Sequence, residues 1–183
     1  IKKKKKKFKF KKIDISKPFK LNQEFEAILH FAAQPGVRYT IENPFSYLSS
    51  NIVGTFNILE FAKKNRIKNL IIASSSSVYG LNKIKNGFKE NQLVDKPMQI
   101  YSVSKITNEL MSFSYTYLNN MKIVALRFFS VYGPWGRPDM AVYKFCEAIS
   151  KKKKIELYNN GNNFRDYCFV SFVGNVINSF NFN

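Results

Sequence analysis

Short apolar runs alternate with amphipathic stretches along this chain. Ala27-Ile28-Leu29-His30-Phe31-Ala32-Ala33 is apolar at both parities apart from one histidine, and it stops at Pro35-Gly36. A run of that kind closed by a turn predicts a strand buried on both faces. Leu70 to Ala73 predicts a second strand, ended by the four serines Ser74 to Ser77, and Ile123 to Phe129 a third. Between the runs, Asn51 to Arg66 carries Ile52, Val53, Phe56, Leu59 and Ala62 at helical spacing, with Ile58 and Phe61 off that stripe. Ser102 to Leu118 carries Ile106, Leu110, Phe113 and Tyr117 on one side of a second helix. Met140 to Ser150 predicts a further helix, Ile155 to Tyr158 a short strand, and Asp166 to Val173 a strand passing into a helix. Phe8, Phe10 and Ile13 nearly alternate with lysine, so residues 1–12 read either as a solvated basic arm or as an edge strand.

Buried strands alternating with amphipathic helices predict a parallel α/β sheet with flanking helices. Ligands of such sheets sit beyond the carboxyl ends of the strands. Residues 32–38, 74–80 and 130–139 occupy those places, and all three stretches are rich in Ser, Gly, Pro, Tyr or Arg. Their convergence points to one site more strongly than any single motif.

Composition narrows the class. The 183 residues are 45% hydrophobic, enough for a sizeable core. The formal charge of +18 suggests a polyanion binder, but residues 1–20 hold eleven lysines against Asp14 alone. Five of the 30 basic residues are Arg, the type suited to bidentate base and phosphate recognition. Nucleic-acid binding through Lys2–Lys12 and Lys151–Lys154 is therefore the weaker reading, because such runs are usually solvated faces. Cys146 and Cys168 make no disulfide framework, and a single histidine, His30, gives no His-rich metal spacing. No apolar run approaches the ~20 residues of a membrane span, and the Lys-rich start is not followed by a signal-like apolar stretch. A cytoplasmic protein is expected.

The most informative stretch is Tyr101-Ser102-Val103-Ser104-Lys105. Tyr and Lys at i and i+4 share a helix face, and a nearby ammonium favours the phenolate a basic Tyr needs. An exposed helical Tyr beside a Lys is the plain alternative. Ser74-Ser75-Ser76-Ser77-Val78-Tyr79-Gly80 follows a buried strand, where a hydroxyl can bond a reacting oxygen or simply cap a helix. The serine cluster together with the Tyr–Lys pair is more specific than either.

With those blocks, His30 to Tyr39, Asn51-Ile52-Val53-Gly54-Thr55 and Leu126 to Ala141, the sequence resembles the extended short-chain dehydrogenase/reductases, in particular nucleotide-sugar epimerases of the UDP-glucuronate 4-epimerase type. The resemblance runs from about Phe10 to Val170. It implies a Rossmann-like fold, NAD as cofactor, a UDP-sugar substrate and a homodimer formed through residues 51–66 and 102–118. It implies Tyr101 as the base at the sugar 4-hydroxyl, Lys105 at the nicotinamide ribose, and Ser75 or Ser76 on the same sugar oxygen. Asp14, Ile15, Phe31, Ala32, Ala33, Asn51 and Phe129 would line the cofactor. Ser130 and Arg165 would meet the sugar nucleotide, and Arg38 or Arg137 the carboxylate of glucuronate. Related dehydratases carry an Asp-Glu pair where Ser76-Ser77 stands here, so epimerisation is favoured over elimination.

The departures are large. None of the eight glycines forms G-x-G-x-x-G or G-x-x-G-x-x-G, the turn that cradles a pyrophosphate. By the resemblance, residues 13–183 are a partial NAD-binding domain with the start of a substrate-binding region. The first strand, the glycine loop and part of the C-terminal region are missing. An inactive fragment or a non-catalytic remnant is expected of the chain as written.

Overall fold

The computed structural model describes residues 8–36, 39–81, 87–162 and 164–180. Strands β1 (Ala27–His30), β2 (Asn69–Ala73) and β3 (Lys122–Leu126) form a parallel sheet in the order β1-β2-β3. His30 pairs with Ile72, and Ile72 with Ala125, so the three carboxyl ends lie level. The expected parallel α/β architecture is thus present. Strands β4 (Ser130–Tyr132) and β5 (Tyr167–Phe169) make a separate parallel ribbon.

Two short helices, α1 (Tyr39–Glu42) and α2 (Phe45–Tyr47), follow the first turn. A π-helix, Leu48–Val53, then leads into α3 (Gly54–Lys64). The long helix α4 (Ile100–Asn119) ends where Asn120 takes a left-handed conformation, φ 51°, which Asn tolerates. Helices α5 (Ala141–Ser150) and α6 (Val170–Ser179) complete the order. No helix among the described residues is long and apolar enough to cross a membrane.

The core lies between the sheet and α3. Leu59, Phe61 and Ala62 pack with Ile67, Leu70 and Met121, and Phe19 stacks on Phe61 with ring centroids 4.9 Å apart. Each of these buried side chains larger than Ala62 stabilises by roughly 1.5–3 kcal/mol.

Residues 8–14 form no strand and are exposed, so of the two readings of residues 1–12 this part follows the arm; residues 1–7 lie outside the described residues. Three expectations are corrected. Ile155 to Leu157 is exposed and pairs with no strand among the described residues, because the β4–β5 ribbon does not extend to it, and a 3₁₀ turn, Tyr158–Gly161, follows. The α4 stripe faces outward: Leu110 is 65%, Phe113 73% and Tyr117 82% exposed. The buried side of α4 is polar, formed by Ser102, Ser104, Lys105, Asn108 and Ser112. On α3, Leu59 and Ala62 are buried as expected, but Phe56, and Val53 at the end of the π-helix, are exposed and Thr55 is buried instead. Small hydroxyls and an amide let the helices approach closely, and hydrogen bonds replace the water they lose.

Candidate active site

The carboxyl ends of β1 and β2 and the N-terminal half of α4 meet at one place. Past β2, Ser74 N–H donates to Leu126 O at 2.8 Å and Ser76 N–H to Phe128 O at 2.8 Å, so the chain stays registered on β3. Ser75 caps the 3₁₀ turn Ser76–Tyr79, its Oγ accepting from Ser77 N–H at 3.2 Å. The turn closes at Gly80, φ +55°, where an added Cβ would lie 1.9 Å from Lys96 O. Glycine is required there.

Tyr101 comes from the first turn of α4 and lies beside Ser75. Lys105, one turn on, is buried and donates from Nζ to Ala73 O at 2.7 Å. Its Nζ lies 5.8 Å from the centroid of the Tyr101 ring. Burial pushes the Lys105 ammonium down to about 8. The Tyr101 phenol moves up, opposite to the expectation from spacing: burial outweighs the Ser75 hydrogen bond and the charge of Arg137. The serine the fold brings to Tyr101 is Ser75; Ser76 is engaged through its backbone at Phe128.

Arg137 arrives from the third loop. It pairs with Asp139, Nε to Oδ1 at 2.9 Å, and its Nη2 would lie 3.5 Å from a Cβ placed on Gly36. Arg38 lies outside the described residues. Phe31 and Ala32 are exposed at the end of β1, beside half-buried Ala33. Asn51, fully buried in the π-helix, accepts from Gln34 N–H at 2.7 Å and donates to Ser104 Oγ at 3.0 Å. A π-turn adds one residue to the helical repeat and re-aims the side chain it carries. Asp14 forms a turn with Ser16, and Ile15 packs on Gly54 while its carbonyl accepts from Asn57 at 2.8 Å. Phe129 turns toward Tyr79 and Phe88, with centroids 6.4 and 6.3 Å away. Ser130 opens β4 and Arg165 lies exposed just before β5, at the same end of the ribbon.

Sequence reasoning missed five contributors. Tyr47 is fully buried, meets the Tyr101 ring edge-on at 6.0 Å and donates its hydroxyl to Gly36 O at 2.7 Å. Thr55 and Asn108 join His30 in a buried chain. With the Asn108 amide turned so that its oxygen accepts from Thr55 Oγ1 at 3.0 Å, Thr55 accepts in turn from His30 Nε2 at 3.0 Å. That makes His30 the Nε2–H tautomer. Glu109 and Arg127 form an ion pair behind Ser74. Position was the available signal for Glu109, since it continues the Tyr101, Lys105 spacing.

A parallel sheet with a Tyr, a Lys and a Ser converging beyond its carboxyl ends defines a nucleotide-binding α/β enzyme fold. The sequence pattern of the NAD dependent epimerase/dehydratase family matches residues 2–177, and the chain belongs to that family. Protein CapI of Staphylococcus aureus is 49% identical over 164 residues, 90% of this chain and 48% of its own length. A probable UDP-glucuronate 4-epimerase of Rhizobium meliloti is 47% identical over 147 residues, 80% of this chain and 43% of its own length. The solved UDP-glucuronic acid 4-epimerase of Bacillus cereus, in complex with UDP-glucuronic acid and NAD, superposes with a TM-score of 0.78 at 32% identity. That match covers 90% of this chain and 51% of the other. The chain therefore spans about half the length of the relatives it matches.

Proposed function

We propose that this chain is the catalytic half of an NAD-dependent UDP-sugar 4-epimerase acting on UDP-glucuronate. The observation that carries the reading is Tyr101 held beside Ser75 and Lys105 at the carboxyl ends of β1 and β2. The names of the relatives support the sugar. The residues present fit the nicotinamide half of the dinucleotide. Ala32 and Ala33 leave room at the end of β1, and of the three donors an ammonium has, Lys105 directs one to Ala73, leaving others suited to a ribose diol. No glycine-rich turn for the pyrophosphate occurs among the 183 residues. When bound, NAD takes up and returns the hydride at the sugar C4.

Tyr101 Oη accepts the proton of the 4-hydroxyl and later returns it. Ser75 holds the same oxygen, and the Lys105 ammonium, 5.8 Å from the ring centroid, would offset part of the cost that burial sets on the phenolate. Arg137 holds its bidentate fork on Asp139, and in this reading it takes the glucuronate carboxylate by exchanging that partner. Ser76 and Ser77 supply no acid, so a hydroxyl is not expelled.

Incubated with NAD and UDP-glucuronate, a polypeptide joining these residues to a strand–glycine-turn–helix unit is expected to form UDP-galacturonate, followed by proton NMR. The 183 residues alone are expected to give none. A 4,6-elimination product, or a neutral UDP-sugar turned over in preference to the acidic one, would overturn the assignment.

The same reading extends to assembly. The outward apolar faces of α3 and α4, with Phe56, Leu110, Phe113 and Tyr117, suit a second copy of the chain. Phe113→Glu is expected to weaken self-association on the order of 10²-fold, measured by sedimentation equilibrium. An unchanged dimerisation constant would place the interface elsewhere.

A further inference from the structure

Three residues of α4 at successive turns face three consecutive residues at the end of β2. Tyr101 lies beside Ser75, Lys105 donates to Ala73 O, and Glu109 accepts a hydrogen bond from the Ser74 hydroxyl. Glu109 alone of the three is also tied to the residue that follows β3. Arg127 grips its carboxylate through two nitrogens, Nε to Oε1 at 3.0 Å and Nη2 to Oε2 at 2.8 Å. The guanidinium is fixed on its other sides as well. Nη1 donates to Glu90 O at 3.0 Å, and the group lies 5.0 Å from the centroid of the Tyr79 ring. Both side chains of the pair are largely withdrawn from water, 16% and 14% exposed.

We propose that Glu109 is a positioning residue of this site: through Ser74 and Arg127 it sets the register of α4 against the ends of β2 and β3, and so the depth at which Tyr101 and Lys105 sit. A bidentate pair between planar groups fixes distance and orientation together. The i, i+4, i+8 spacing passes that geometry along the helix to Lys105 and Tyr101. The functional meaning of this register rests on the reading of Tyr101 and Lys105 given above.

A purely stabilising clamp makes a different prediction, and the molecule contains one for comparison. Tyr115, further along α4, donates its hydroxyl to Glu60 of α3, and it touches neither Lys105 nor Ser74. The test uses the 183-residue chain with Glu109→Gln, Ser74→Ala and, as the comparison, Glu60→Gln. The Lys105 ammonium is titrated by carbon-detected NMR and the Tyr101 phenol by fluorine NMR of 3-fluorotyrosine, assigned with Tyr101→Phe. The charged groups facing Lys105 and Tyr101 other than this pair, His30 and Arg137, are kept in every variant. Glu109→Gln is expected to loosen the helix end and let water in. Lys105 then titrates about one pH unit or more above its starting value near 8, and Tyr101 titrates lower. Ser74→Ala moves both groups in the same directions by less. Glu60→Gln lowers the Tm and moves neither.

Should Glu109→Gln and Ser74→Ala lower the Tm while both titrations stay put, Glu109 is a stability clamp and the proposal fails. If Glu109→Gln does not fold, Ser74→Ala decides by the same criterion. These readouts need no cofactor or sugar. Failure of the epimerase reading therefore leaves them intact, and their failure leaves that reading intact.

Discussion

Tyr101→Phe is expected to lower epimerisation by about 10²–10⁴-fold while substrate and dinucleotide binding persist. The substitution removes one oxygen and keeps the ring. The edge-on contact with Tyr47 at 6.0 Å therefore survives, and so does the helix that carries Lys105. Only the group that accepts the 4-hydroxyl proton is lost, so the deficit belongs in kcat. The measurement is kcat and KM for UDP-glucuronate in a polypeptide that carries these residues and a glycine-rich turn. Ser75→Ala is expected to act in the same direction by less, because Lys105 still stabilises the phenolate. Turnover within a few fold of the unsubstituted protein after Tyr101→Phe would remove Tyr101 from the chemistry.

Acid is expected to unfold this chain in a window set by His30. The imidazole is buried at the end of β1, bonded to Thr55, and burial with the nearby Lys105 charge pushes it from 6.5 down to about 4. Between those values the unfolded chain binds a proton that the folded chain does not. Stability from the neutral imidazole is complete above pH 6.5 and is lost as pH falls to about 4, ~3 kcal/mol in all. Lys105 adds nothing in that window, since its own difference lies between about 8 and 10.5. Asp14, Glu60, Asp139 and Glu147 are held below the usual carboxylate range by hydrogen bonds from Ser16, Lys63, Arg137 and Lys151 respectively, so their losses begin at lower pH. Urea midpoints from pH 7 to pH 4 test this, with His30→Gln as the partner variant. The glutamine chain should be less stable at pH 7 and much flatter with pH. Parallel curves for the two chains would assign the acid sensitivity to other groups.

Much of the site is legible in the sequence. Tyr101, Lys105 and the serines after Ala73 stood out because they lie at i, i+4 and at the end of an apolar run. Those are local relations, and backbone geometry preserves local relations. Arg137 was legible as a strand-end loop residue, although its neighbour Gly36 lies a hundred positions away. Other parts were not legible. Strand β4 is three residues long and follows directly on an apolar run, so no change of pattern marks where one sheet ends and the other begins. Ile155 to Leu157 carries a strand-like pattern, but a strand exists only if another backbone runs beside it.

By itself, the sequence determined the alternation of β1, α3, β2, α4 and β3, the level at which the site would lie and the residue types able to do its chemistry. Those follow from periodicity and from the backbone preferences of each residue. Only the tertiary structure decided that α4 turns its polar side inward, that the phenol of Tyr101 moves up with burial, and that Glu109 meets Ser74 and Arg127. Periodicity defines the faces of a helix without saying which one the sheet will cover. Burial and hydrogen bonds between residues tens of positions apart settle that, and both arise only when the elements pack.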